Sequence, residues 1–178
     1  TTDSTITLSG GDISLVLDKK SGNLITTKNT SNDYVLSFNN GPILVKGTAI
    51  PVSSKVYKEG STSVAEFLYS GNMQYIRWKM NSSGWATLEY AYQMEGNLPF
   101  SGISFSYPEN YILTSRWLGK GPIRQWKNRI AGTPVNVWQN LYNNTHTGYS
   151  PVVYPEFKGY YGEVNWMELS TVEGKFFV

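Results

Sequence analysis

Hydrophobic and polar residues alternate with a period of two along much of this chain. The alternation is clearest in ISLVLD (13–18), SVAEFLYS (63–70), MQYIRWKM (73–80), WATLEYAYQM (85–94) and YGEVNWMEL (161–169). Successive side chains of a strand point to opposite faces, so this period predicts strands that pack one face on a core. These segments are also rich in Val, Ile, Tyr, Phe and Trp, which strands favour. We find no convincing window with the 3.6-residue period of an amphipathic helix.

Clusters of turn-forming residues separate the alternating segments at intervals of about ten residues in the first half of the chain. They lie at 9–11, 21–23, 39–42, 59–61, 70–72 and 81–84. Turns this frequent leave no room for long helices. The sequence therefore predicts an all-β fold, an antiparallel β-sandwich of many short strands. The length of 178 residues suits a single domain, which we expect to span residues 1–178.

Composition and charge exclude several classes of protein. The chain is 40% hydrophobic and 15% aromatic, which excludes a disordered protein. No apolar run approaches the roughly 20 residues that span a bilayer, so no membrane partner is expected. A net charge of +2 argues against a nucleic-acid partner, because such proteins usually carry a clustered basic excess. With no cysteine and one histidine, the chain is expected to bind no metal or other cofactor.

Residues 119–149 break the alternation and are rich in Asn, Gly and Pro. The wider stretch from Tyr107 to Trp166 holds 12 of the 26 aromatic residues, and no Asp or Glu occurs between Glu109 and Glu156. Five cations lie in this acid-free interval: Arg116, Lys120, Arg124, Lys127 and Arg129. We predict a long irregular excursion from the sandwich at 119–149, a kind of segment that often carries function.

The residue types in this excursion indicate recognition of carbohydrate. Pyranose rings stack their C–H faces on Trp and Tyr, while Arg, Lys, Asn and Gln bind hydroxyl groups. Single-stranded nucleic acid uses a similar set, but the modest net charge counts against it. The candidate carbohydrate- or interface-binding residues are Arg124, Trp126, Lys127, Arg129, Trp138, Tyr142 and Tyr149.

The tryptophans of this region could equally be core residues, because large aromatic side chains are mostly buried. If the region is a binding surface, some of its aromatic residues should be exposed. We expect Trp126 and Trp138 to be the exposed pair, because they lie in the irregular excursion. Trp78, Trp85 and Trp166 are expected in the core, because they lie in alternating segments.

Catalytic residues are less evident. Glu156 and Glu163 could form a glycosidase-like pair if their carboxyl groups lay roughly 5 to 9 Å apart. A Ser-His-Asp triad would need an acid to orient His146, and the local sequence provides none. These three residues are weak catalytic candidates, and surface glutamate is the ordinary state of that residue.

A spaced motif lies in residues 98–129. It consists of Leu98-Pro99, Gly102, then Trp117, Gly119, Gly121, Pro122 and Arg129. This frame resembles the C-terminal β-sandwich of family 2 glycoside hydrolases of the β-galactosidase type, a domain with a galactose-mutarotase-like fold. The segments at 10–44 and 154–169 are similar to other parts of that domain, so the resemblance covers most of the chain. It implies a supersandwich fold, present here in a partial form.

The chain also departs from the family's pattern. Arg124, Trp126 and Asn128 stand where the family usually has Glu, Tyr and Asp, which inverts the local charge. GPILVKGTAIPV (41–52) replaces an acidic segment that usually follows the first hairpins. The family domain is longer, so we expect a divergent and truncated form, without implied specificity for galactose.

The resemblance implies a part of a larger carbohydrate-active enzyme. In the family, the catalytic glutamates lie in a (β/α)₈ barrel of about 250 residues, which does not fit in this chain. We therefore expect a non-catalytic domain whose partners are the catalytic domain of the parent enzyme and a β-glycoside or polysaccharide fragment. Arg129 would brace that domain, while Arg124 and Lys127 would face the cleft or surface.

Two alternatives stay open: a stand-alone carbohydrate-binding module, and a mutarotase-like or polysaccharide-lyase-like enzyme on the same fold. A mutarotase needs a histidine and a carboxylate facing one sugar, and only His146 is available. The absence of cysteine together with aromatic sugar-binding chemistry suggests a periplasmic, cell-surface or secreted protein.

Overall fold

A computed structural model of the chain describes residues 1–31, 34–38, 40–98, 100–126, 128, 131–142 and 159–178. Strands account for 61% of these described residues, and the one helical element among them is a single 3₁₀ turn at Glu109–Tyr111. The paired strands are antiparallel. The predicted all-β fold of the antiparallel β-sandwich class is confirmed.

The chain divides into two compact units, Thr1–Pro108 and Glu109–Val178. Unit 1 contains β1 (Thr5–Gly10), β2 (Ile13–Asp18), β3 (Leu24–Asn29), β4 (Tyr34–Leu36), β5 (Asn40–Leu44), β6 (Ala49–Glu59), β7 (Thr62–Gly71), β8 (Met73–Met80), β9 (Ala86–Tyr92) and β10 (Ile103–Ser106). Unit 2 contains β11 (Ile112–Lys120), β12 (Val135–Leu141), β13 (Trp166–Thr171) and β14 (Gly174–Phe177). That all 178 residues form one domain stays a prediction.

Unit 1 is built on two four-stranded sheets, β1-β2-β3-β4 and β6-β7-β8-β9, with β10 and β5 as a separate pair. Strand alternation sends the apolar side chains of both large sheets into one core. Leu17 from the first sheet and Ala65 from the second are fully buried there. The core cluster comprises Ile6, Leu8, Leu15, Leu17, Leu24, Leu44, Ala65, Phe67, Met73, Ile76, Trp78 and Met80.

The β2–β3 turn is fastened to the second sheet by two aromatic side chains. Trp78 Nε1 donates a hydrogen bond to the carbonyl of Gly22 at 2.9 Å, and the Tyr69 hydroxyl donates to the carbonyl of Ser21 at 2.5 Å. Trp78 is only 5% exposed, so its predicted place in the core is confirmed. Within the turn, the Asp18 carboxylate accepts hydrogen bonds from Ser21, which hold the pKa of Asp18 below its ordinary value.

Trp85 was expected in the core, but that expectation is wrong, since 66% of the residue is exposed. It precedes β9 and shares the parity of Thr87 and Glu89, whereas Leu88 of the same strand packs against the core. Alternate residues of a strand face opposite sides, so Trp85 belongs with the polar side chains rather than with Leu88.

Unit 2 contains a four-stranded sheet in the order β12-β11-β13-β14. Trp117 on β11 lies opposite Trp138 on β12 and Met167 on β13. Trp166 pairs with Leu118 instead, and therefore lies on the other face of the sheet. Trp166 is half-buried, and the Arg116 guanidinium lies over its ring, 5.6 Å from the ring centre. The expectation that Trp166 is a core residue is therefore wrong.

The predicted irregular excursion at 119–149 is also only partly irregular. It contains β12, a seven-residue strand that pairs with β11 over the whole length of β12. Only the first three residues of β12, Val135 to Val137, alternate in polarity, because Trp138 follows Val137 directly. The Gly, Pro and Asn residues around the strand obscured it further.

Candidate functional site

The turn that follows β11 encloses Trp117, whose exposure is 0%. Its indole Nε1 donates to the carbonyl of Lys120 at 2.9 Å, which ties the side chain to the end of its own strand. The ring of Tyr161 packs edge-on against the indole, with 4.6 Å between centroids, and the Tyr161 hydroxyl hydrogen-bonds with Ser115 Oγ at 2.9 Å. Trp117 is therefore an internal packing residue.

Two glycines allow the backbone and rings around Trp117 to approach closely. A Cβ at Gly119 would lie 2.9 Å from the carbonyl oxygen of Gly162, and a Cβ at Gly121 would lie 2.5 Å from the indole of Trp138. Such distances are shorter than the contacts that well-packed side chains tolerate. Both positions therefore require glycine for reasons of space alone.

Trp138 and Trp126 are half-buried, so the expectation that they form an exposed pair is wrong. The Trp138 indole donates from Nε1 to the carbonyl of Gly119 at 3.2 Å and fills the space beside Gly121. The Trp126 indole lies against Gly159, where an added Cβ would be 2.8 Å from the ring. Each ring thus packs directly against a glycine, and a larger residue in place of that glycine would collide with the ring.

Arg124 and Tyr142 are brought together, as candidates for one site. The Arg124 guanidinium lies 4.9 Å from the ring centre of Tyr142 and 5.2 Å from that of Tyr161, and its Nη2 donates to the carbonyl of Tyr142 at 3.0 Å. Burial opposes the charge on Arg124, but interactions with Tyr161 and Tyr142 outweigh it and raise the arginine's pKa further above its ordinary value. Arg124 is therefore a permanent, half-buried cation between two rings.

Gln125 is a residue that sequence analysis missed. It is 2% exposed, and its backbone exchanges two hydrogen bonds with Tyr160, at 2.7 and 2.8 Å. Within the described part of the chain, Gln125 Nε2 and Arg124 Nε are buried donors without an acceptor. No local sequence signal marks Gln125, because its burial depends on contacts with residues more than 30 positions away.

Glu163, one of the weak catalytic candidates, pairs with a cation. Its Oε1 lies 2.6 Å from Lys120 Nζ, and its backbone has a φ of 49°, in the left-handed region that non-glycine residues rarely adopt. The adjacent Gly162 accepts a hydrogen bond from the Lys120 backbone at 2.9 Å. Glu163 therefore helps hold the segment before β13 against the end of β11.

The other candidates lie outside the described residues: Lys127, Arg129, His146, Tyr149 and Glu156. Among the residues that are described, no group of three or more His, Asp or Glu side chains could hold a metal ion. The same residues include no helix that is both long enough and apolar enough to cross a membrane.

Comparisons with known proteins do not assign the chain to a family. No model of a known protein family matches the chain, and no curated protein matches it either. Of the described aromatic and basic residues at this turn, Trp117 is fully buried, and Arg124, Trp126, Trp138 and Tyr142 are half-buried. We refer to these five residues as the aromatic cluster of unit 2.

Proposed function

We propose that this chain is a non-catalytic β-sandwich domain of a larger carbohydrate-active enzyme, similar to a β-galactosidase, in which it braces the catalytic domain. The observation that supports this role is the use of the motif residues for internal packing. Trp117 is fully buried, and Gly119 and Gly121 leave space that no side chain could share. The motif residues that resemble the family's pattern are therefore used for packing inside unit 2, as we expect for an accessory domain with a structural role.

The face of the unit 2 sheet that lies opposite to Trp117 is suited to contact with another domain. Val137 and Leu141 on β12 are 44% and 53% exposed, and Phe177 on β14 is 56% exposed. Strand register places these side chains on the same face as Arg116 and Trp166, and this face also carries Gln139 and the Glu168–Lys175 ion pair. Apolar and aromatic side chains with an arginine are enriched at the centres of protein interfaces. We assign this face to the bracing contact.

Catalysis by the chain itself is not part of the proposal. Retaining hydrolysis requires two carboxyl groups about 5 Å apart, and Glu163 is instead paired with Lys120. Purified chain incubated with a panel of nitrophenyl β-glycosides should release no nitrophenol above the buffer rate, while a β-galactosidase run in parallel does. Turnover that co-purifies with the chain and disappears in Glu163→Gln would overturn the proposal.

A further inference from the structure

An open depression lies at one end of unit 1, far along the chain from the aromatic cluster of unit 2. It is widely open to solvent, and its volume is about 480 Å³. The β5–β6 loop contributes Lys46, the start of β8 contributes Gln74, and the segment after β9 contributes Gln93 and Glu95. These polar side chains converge on the same space, as they would around a polar ligand.

The floor of the depression is held in place by Asn72. Its Oδ1 accepts a hydrogen bond from the backbone N–H of Thr48 at 2.9 Å, and its Nδ2 donates to the carbonyl of Gln93 at 3.0 Å. The backbone N–H of Gln93 donates back to the carbonyl of Asn72 at 2.8 Å. One side chain thus joins the β5–β6 loop, the β7–β8 turn and the end of β9. A site supported in this way is ordered before a ligand arrives.

The charges and donors of the depression favour a neutral ligand with many hydroxyl groups. Lys46 and Glu95 supply one positive and one negative charge, so neither a phosphate nor a polycation is matched. Gln74 and Gln93 are exposed amides, and each offers both donors and an acceptor to hydroxyl groups. The lining therefore supplies both hydrogen-bond donors and acceptors, and it carries no net charge.

Apolar surface lies beside these polar groups. Met94 and Leu98 line the depression, and the Lys46 ammonium lies 5.6 Å from the ring centre of Phe100. Phe100 lies outside this lining and is 61% exposed, and the Lys46 ammonium covers one face of its ring. A flat apolar surface next to amides can pack against the C–H face of a pyranose while the amides bind its hydroxyls.

We propose that this depression binds a neutral hexopyranose unit, with Gln74 and Gln93 on its hydroxyl groups and Phe100 against its ring face. The choice of a sugar among neutral polyhydroxyl ligands rests on the proposed function, whereas the site itself rests on its geometry. The residues that line it belong to unit 1 and include none of the cluster around Trp117 and Arg124.

The test is a titration of the ¹⁵N-labelled chain with methyl β-D-galactopyranoside, methyl β-D-glucopyranoside and cellobiose, followed by amide chemical shifts. At least one sugar should shift the amides of Lys46, Gln74, Gln93 and Glu95. Gln93→Ala should weaken binding about tenfold, since losing one hydrogen bond of about 1.4 kcal/mol changes affinity by that factor. Phe100→Ala should weaken it as well. Trp85→Ala is the matched control, because it removes the exposed ring at the opposite end of β8 and should leave binding unchanged.

Three results would overturn the site: no shifts with any of the sugars well above millimolar concentration, shifts centred on the Trp85 turn, or a response to inorganic sulfate in place of the sugars. The spectra of the variants also show directly whether each remains folded. These failures are distinguishable from failure of the proposed function, which is tested by glycoside turnover and by the composition of the parent polypeptide.

Discussion

Among single residues, the clearest constraint lies in the turn that follows β11, where neighbouring atoms leave no room for a side chain at Gly121. Gly121 has no side chain because the Trp138 indole occupies that position, and the indole in turn is fixed by its hydrogen bond to the carbonyl of Gly119. Gly121 does not adopt a left-handed φ, so any penalty for a larger residue there comes from packing. The ring and the glycine are therefore energetically coupled.

Gly121→Ala should destabilise the protein by about 1–3 kcal/mol, the usual cost of forcing extra volume into a packed site. The free energy of unfolding is measured by urea denaturation. Trp138→Phe in the same chain leaves a smaller ring and should relieve part of the conflict, so the double variant should be more stable than the sum of the single effects predicts. Additive effects of the two substitutions would show that the close approach has no energetic consequence.

Trp78 and Trp85 provide a second comparison between single residues. Trp78→Phe removes the Nε1 donor and leaves the Gly22 carbonyl buried without it, so we expect a loss of about 1–3 kcal/mol in the free energy of unfolding. Trp85→Phe changes a ring that is 66% exposed and should stay within about 0.5 kcal/mol of the parent. Urea unfolding curves of both variants test the contrast, and equal losses would contradict it.

The same two tryptophans show what the sequence could and could not predict. Both follow an alternating pattern, and parity alone separates them, because Trp85 is in phase with Thr87 and Glu89. That signal was present in the sequence. The burial of Trp117 was not predictable in this way, since it depends on Tyr161, which is distant in the sequence. Gln125 is buried for a similar reason, through its pairing with Tyr160.

At the scale of elements, a row of alternating charges crosses the β6-β7-β8-β9 sheet. Strand register places Lys55, Glu66, Arg77 and Glu89 directly opposite one another on four successive strands. Lys55 Nζ lies 2.8 Å from Glu66 Oε1, and Arg77 Nε binds the other oxygen of that carboxylate. The Glu66 side chain is 5% exposed, so its charge depends on these two cations.

This row predicts a pH-dependent contribution to stability. Hydrogen bonds from Lys55 and Arg77 hold the pKa of Glu66 below its ordinary value of 4.5. A carboxyl group with a lowered pKa in the folded state stabilises the protein above its ordinary pKa, and this stabilisation is lost as the pH falls through the folded value. Glu66→Gln should therefore be less stable than the parent at pH 7, and the difference should shrink as the pH falls below about 4.5.

Urea denaturation of both proteins at pH 7 and at successively lower pH gives this difference directly. Asp18 also has a lowered pKa, so both proteins should lose stability in acid, and only their difference reports Glu66. Glu109→Gln, at an exposed residue outside the row, is the matched control for the removal of one carboxylate. A Glu66→Gln difference that stays constant with pH would contradict the assignment.

At the scale of the whole molecule, unit 1 contains a complete core of its own. Every residue of the core cluster lies before Pro108, with both large sheets of that unit contributing. A chain of about 100 residues with its own core is of ordinary domain size. The alternation and turn spacing predicted this sandwich correctly. The change of composition at Tyr107 coincides with the boundary near Pro108, but composition alone does not distinguish a second unit from an excursion of the same domain.

Residues 1–108 should therefore fold when expressed alone. We expect a cooperative urea transition and well-dispersed amide resonances, because the buried side chains keep their partners. The same fragment with Phe67→Asp places a charge in the core and provides the unfolded reference. A fragment that resembles this reference in its spectrum would show that unit 1 requires residues beyond Pro108.

We propose that this chain works as a non-catalytic part of a larger carbohydrate-active enzyme. The most direct test of this proposal is the composition of the native polypeptide that contains the chain. Antibodies raised against residues 1–108 would isolate that polypeptide from the source cells, and intact-mass measurement with peptide mapping would define it. We predict one polypeptide that joins these residues to a (β/α)₈ barrel of about 250 residues carrying two catalytic glutamates. A native polypeptide without such a barrel would rule out this role.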